Sequence, residues 1–75
     1  MYKIKINITY TDLDMLDGYV LVGDDIDPQN ECYLLNLILR EKILIVYDPE
    51  RNNKAYRVKT DEIFSLEVIE YEDFE

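Results

Sequence analysis

The chain has 75 residues, 48% of them hydrophobic, and a formal net charge of −9. That length makes one small domain with little room for a deep substrate cavity, and the apolar content excludes a disordered acidic tail. Histidine is absent and Cys32 is the single cysteine, so Ser–His and Cys–His nucleophile pairs and an intramolecular disulfide are excluded within the chain.

From Tyr2 to Tyr10 the residues alternate, with Tyr2, Ile4, Ile6, Ile8 and Tyr10 on one face and Lys3, Lys5, Asn7 and Thr9 on the other. A period of two over this length predicts a half-buried strand. Residues 11–18 lose the period and predict a loop or one short helical turn, with Gly18 bending the chain into a second strand, Tyr19–Val22. Residues 23–30 predict a turn segment. Asp27 followed by Pro28 predicts a helix start, the aspartate as N-cap and the proline as first helical residue. The helix is expected to run to about Lys42, being rich in leucine with Ile38 as its one β-branched residue. Cys32, Tyr33, Leu34, Leu35, Leu37, Ile38 and Leu39 leave it almost no polar face, so a strand turning at 40–42 is the alternative.

Ile43–Tyr47 predicts a buried central strand by its β-branched run. Residues 48–53 predict a turn, with Pro49 suited to its second position. Lys54–Thr60 predicts the next strand, Tyr56 and Val58 inward, Arg57 and Lys59 outward. After a turn at 61–63, Phe64–Tyr71 predicts the last strand. Phe64, Leu66 and Val68 share one of its faces, and Ser65, Glu67, Ile69 and Tyr71 the other. The last four residues are expected to fray. The reading is a single small acidic domain over residues 1–75, of α+β class. It has a small, mainly antiparallel β-sheet with one helix in the order ββαβββ; the alternative is an all-β meander or small barrel.

The charge is segregated. Residues 11–39 carry seven acids (Asp12, Asp14, Asp17, Asp24, Asp25, Asp27, Glu31) and no base. Residues 60–75 carry seven more (Asp61, Glu62, Glu67, Glu70, Glu72, Asp73, Glu75) and no base, while residues 40–59 hold six of the eight bases. Arg57 and Lys59 are expected to face outward beside Glu67 on the last strand, a pairing worth a few tenths of a kcal/mol. Acids two apart in an extended segment stand roughly 6.5–7 Å apart, comparable with successive phosphates of a nucleic-acid strand. Asp12/Asp14, Asp25/Asp27 and Glu70/Glu72 have this spacing.

Other motifs fall short. Asp12-x-Asp14-x-x-Asp17-Gly18 resembles the start of a calcium loop, but its glycine comes one residue late and its twelfth position is Gly23 instead of glutamate. Asp24, Asp25 and Asp27 lack the glycine-rich loop and lysine of a magnesium–phosphate site. Cys32, without a basic neighbour, reads as an inert core residue. No metal or cofactor is expected.

The expectation is a non-enzymatic acidic binding protein, a nucleic-acid mimic that inhibits a DNA- or RNA-binding protein. Its partner would be a basic nuclease, CRISPR effector, restriction enzyme or polymerase, by class-level analogy with phage-type anti-defence and host-takeover inhibitors. Asp12, Asp14, Asp17, Asp24, Asp25, Asp27, Glu67, Glu70 and Glu72 would form the surface, with Tyr19, Tyr33 and Tyr71 as aromatic anchors. Direct contact with nucleic acid or a membrane is disfavoured by the charge. The single cysteine and the lack of an apolar leader or span lead us to expect a cytoplasmic protein. One alternative is a small homo-oligomeric structural or assembly module, a homodimer for instance, using the apolar helix and an edge strand. Another is a small-ligand or nucleotide sponge.

Overall fold

A computed structural model of the chain describes residues 1–27 and 29–73. The elements are β1 (Tyr2–Tyr10), β2 (Met15–Val22), α1 (Glu31–Arg40), β3 (Ile43–Asp48), β4 (Lys54–Lys59) and β5 (Ile63–Asp73), with 3₁₀ turns at Pro49–Arg51 and Thr60–Glu62. All pairings are antiparallel, in one five-stranded sheet of order β4-β3-β2-β1-β5. The α+β class and the order ββαβββ hold, and residues 31–40 are a helix.

β1 keeps its expected bounds because its alternation is strict: Ile4, Ile6 and Ile8 are fully buried or nearly so. β2 begins at Met15 instead of Tyr19. Its inward set is Leu16, Gly18, Val20 and Val22, the partners of Ile8, Ile6, Ile4 and Tyr2. A glycine inward and Met15, Tyr19 and Leu21 outward erase the period that would have marked the strand. Gly18 does not bend the chain, since no glycine has positive φ. It lies where β3 crosses β2, and a Cβ there would stand 2.5 Å from the Tyr47 carbonyl oxygen and 2.6 Å from Val46 Cγ1.

α1 starts later than Asp27–Pro28 predicts. The Asp27 carboxylate accepts the Gln29 N–H at 3.0 Å and closes a turn of its own. The cap is Asn30, whose Oδ1 accepts the Tyr33 N–H at 3.2 Å. Pro28 as first helical residue lies outside the described residues. Leu34 and Ile38, four apart and so on one face, are buried, and each contributes about 1.5–3 kcal/mol by leaving water. Cys32 is exposed, not a core residue.

β3 is an interior strand, between β4 and β2, but it is not buried on both faces. Leu44 and Val46 point into the core, while Ile43 and Ile45 are exposed. β5 runs to Asp73, so residues 72 and 73 belong to a strand where fraying was expected; residues 74 and 75 lie outside the described residues. Two register shifts against β1, at Lys5/Ile6 and Thr9/Tyr10, are bulges that reset its faces. Ile63 therefore takes the inward place expected of Phe64, which is 70% exposed. Beyond the shift at Lys5/Ile6, Tyr71 pairs with Ile4 and packs edge-on against Tyr2 at 6.3 Å, so it lies on the core face where the outer face was expected.

The sheet is strongly coiled. β2 and β3 share only the pair Tyr19–Tyr47. In a flat sheet that register would place the start of β3 at the opposite end from Thr11, about 30 Å away at 3.3 Å per residue. Yet the Thr60 N–H donates to the Lys42 carbonyl (3.0 Å) and the Thr11 N–H to the Glu62 carbonyl (2.9 Å). Two residues, 60 and 62, thus link the start of β3 to the end of β1. The β3–β4 hairpin crosses β5-β1-β2 steeply, and the concave side holds one core into which α1 inserts Leu34 and Ile38.

Candidate functional site

The coiling decides where the acids meet. The Thr11 to Glu62 hydrogen bond joins the β1–β2 turn to the β4–β5 turn. Asp12, Asp14, Asp61 and Glu62, drawn from both base-free segments, therefore stand together at one end of the sheet, all exposed. The turn is fixed from within: Asp12 Oδ1 accepts the Asp14 N–H at 3.0 Å, the Tyr10 N–H donates to the Asp14 carbonyl at 2.8 Å, and Leu13 takes a left-handed φ of 72°. Tyr10 reports the shared field. Its phenol is pushed above the ordinary tyrosine value first by burial, then by the carboxylates of Glu62 and Asp12.

Apolar side chains sit among these acids. Leu13 and Phe64 are each 70% exposed and Met15 is 66% exposed. Met15 pairs with Thr9 from β2, and Ser65, next to Phe64, pairs with it from β5. Two strand spacings of about 4.8 Å separate them. Lys42 and Lys59 border the patch through Thr60, and neither ion-pairs with an acid among the described residues.

The other expected acids lie elsewhere. Asp17 accepts a hydrogen bond from Asn7 on the outer face of β2. Asp24 pairs with the N-terminal ammonium, and Asp24, Asp25 and Asp27 sit beyond the far end of β2, about 23 Å away along that strand. Glu70 and Glu72 pair with Lys5 (2.9 Å) and Lys3 (3.6 Å) across β1, and the Glu70 hydrogen bond raises the Lys5 pKa above its ordinary value. Glu67 is exposed on β5, opposite Asn7.

The phosphate-like spacing is therefore corrected. Asp12/Asp14 and Asp25/Asp27 lie in turns instead of extended chain, and the one extended pair, Glu70/Glu72, is taken up by lysines. The expected Arg57/Lys59 pairing with Glu67 is corrected too, because β4 and β5 are opposite edges of the sheet. Tyr19 is 6% exposed, stacked on Tyr47 at 5.3 Å, covered by the Lys3 ammonium and bonded through its hydroxyl to Asn53. It is a packing residue and not an exposed anchor. Tyr71 is 40% and Tyr33 50% exposed.

Asp61 and Glu62 were absent from the expected surface although they open the second base-free segment. Only the hydrogen bond from Thr11 brings them beside Asp12, and no residue pattern announces it.

Chemically the patch can hold cations and cationic side chains. No group of three or more Cys, Asp or Glu side chains converges as a metal cage among the described residues. An open hollow of about 410 Å³ between β2 and β3 is lined by Leu21, Ile26, Leu37, Ile43 and Ile45, with Asp25 and Glu41 as its charged groups. That lining repels a phosphate. No helix among the described residues is long and apolar enough to cross a membrane.

No protein-family model, curated protein or solved structure matches the chain.

Proposed function

We propose that this is a non-enzymatic acidic binding protein whose acidic sheet end occupies the basic nucleic-acid groove of a partner protein, inhibiting it by standing in for the nucleic acid. The observation that carries the reading is the meeting of the two base-free segments through Thr11 and Glu62. Four exposed carboxylates, borne by the two turns that this bond joins, have no ion-pair partner among the described residues. A lysine- and arginine-lined groove would attract them as it attracts phosphates, by charge complementarity that salt screens. Leu13, Met15 and Phe64 add apolar contact that a phosphate backbone lacks, which favours a protein groove over a bare cation. The mimicry rests on clustered charge and not on a phosphate-spaced ladder. Partners of the nuclease, CRISPR-effector, restriction or polymerase kind share the required groove chemistry.

The test is affinity capture with the whole chain and with the variant Asp12→Asn, Asp14→Asn, Asp61→Asn, Glu62→Gln. These changes keep shape, and the amide oxygen that replaces the Asp12 carboxylate can still accept the N–H of residue 14. The native chain is expected to retain nucleic-acid-binding proteins at about 0.05 M salt and release them by about 0.3 M, following the steep salt dependence of such contacts. Duplex DNA should compete them off, and the variant should retain few of them. Equal retention by the variant at equal salt would show that this end is not the contact surface.

A further inference from the structure

The two free edges of the sheet carry opposite charge. β4 is paired only with β3, and its outward row is Ala55, Arg57 and Lys59, with Lys54 at its start. β5 is paired only with β1, and its outer-face row includes Glu67, Glu70 and Glu72. Arg57, Lys59 and Glu67 form no ion pair among the described residues. Beside β4 stand exposed Ile43 and Ile45, and on β5 exposed Phe64 and Ile69. Each edge thus joins unpaired backbone groups, exposed apolar side chains and one sign of charge.

We infer that the chain associates head to tail with further copies of itself, the β4 edge of one copy docking on the β5 edge of the next. Arg57 and Lys59 would lie across from Glu67 on one continuous outer sheet face. Like-with-like pairing is opposed. β5 on β5 sets Glu67 against its own copy, Glu70 and Glu72 being taken up by Lys5 and Lys3, and β4 on β4 sets Arg57 and Lys59 against theirs. Charge therefore selects the mixed pairing. Two different surfaces meeting this way are not closed by a twofold axis, so the assembly grows as a ring or chain instead of stopping at a symmetric dimer. The net charge of −9 opposes growth at a distance but is screened beyond about 8 Å at 0.15 M salt, while charges in the contact are screened much less. Asp12, Asp14, Asp61 and Glu62 belong to neither edge strand, so neutralising them leaves this association intact, while Phe64 lies in both surfaces.

The test is a charge swap read by sedimentation equilibrium of the whole chain at 0.15 M salt, with amide exchange as a second readout. Native protein is expected to grow with concentration from 9.0 kDa past the dimer. Exchange should slow in β4 and β5 and not in β1 or β2. Arg57→Glu alone and Glu67→Lys alone each set one like-charged pair across the contact and should weaken association by about tenfold. Both residues are exposed, and circular dichroism verifies the fold of each variant before mixing. An equimolar mixture should restore growth, because the glutamate introduced on β4 of one variant then meets the lysine introduced on β5 of the other. The inference is overturned if native protein stays at 9.0 kDa throughout, the edge charges then serving only to block pairing. It is overturned equally if folded single variants assemble as the native chain does, or if mixing folded variants restores nothing.

Discussion

At the scale of single residues, the two glycines, five positions apart, do different things. A Cβ at Gly18 would meet the backbone of β3, which cannot swing aside without moving the strand crossing. A Cβ at Gly23 would meet only the end of the Asp25 side chain, at 2.7 Å, and that side chain can rotate away. Gly18→Ala is therefore expected to lower stability by about 1–3 kcal/mol, the range for inserting atoms into a packed core, and Gly23→Ala by about 0.5 kcal/mol or less. Urea unfolding followed by tyrosine fluorescence measures both. Equal losses would mean that the crossing at Tyr19–Tyr47 is looser than the structure has it. Gly18 also marks where the residue pattern misleads: the signal that reads as a bend is a place of close approach, and the strand on the other side of that approach is remote in sequence. Tyr19 misleads likewise. It alternates with the core residues and belongs to the outer face, yet Tyr47, Lys3 and Asn53 bury it there.

At the scale of elements, β1 and the face assignments of β4 were legible because strict alternation fixes a face. The bounds of α1 and the faces of β5 were not. Asp27–Pro28 carries the stronger helix-start signature, yet the Asp27 carboxylate is spent on Gln29, and Asn30 caps the helix with Glu31 and Arg40 placed favourably at its two ends. Ten residues are too few for a helix to persist alone, so its order depends on Leu34, Ile38 and this cap. Asn30→Ala should cost about 1 kcal/mol, and Asp27→Ala should cost less. If the order is reversed in urea midpoints, the helix begins at the earlier site. For β5, each bulge shifts the alternation by one residue, exposing Phe64 and turning Tyr71 to the core. A bulge depends on the partner strand, so the sequence of β5 by itself gives no sign of it.

At the scale of the whole molecule, the amount and segregation of charge could be read directly from the residues, but its arrangement could not. Placing β4 and β5 on opposite edges removed the expected Arg57–Glu67 contact, while the coiled sheet joined Asp12 to Glu62. The net effect of this arrangement on stability follows from which charges have partners. The four ion pairs among the described residues are surface pairs, whose attraction water and salt screen to little net stabilisation. Against them stands a net charge of −9 on a body with a radius of gyration of 11.6 Å. Salt weakens both, but repulsion among the unpaired acids is the larger sum, and at about 0.1 M the screening length of about 10 Å already approaches the size of the molecule. Raising sodium chloride from about 0.02 M to 0.5 M should therefore increase stability, by on the order of 1 kcal/mol. The measurement is the urea midpoint, since guanidinium is itself a salt, with chloride chosen over sulfate because sulfate also strengthens apolar burial. It belongs at a low, fixed protein concentration, where mass action through the sheet edges contributes least. An unchanged slope with a higher midpoint would place the gain in the folded state's charge. A midpoint that falls with salt would mean that the Lys3, Lys5 and Arg51 pairs outweigh repulsion among the acids.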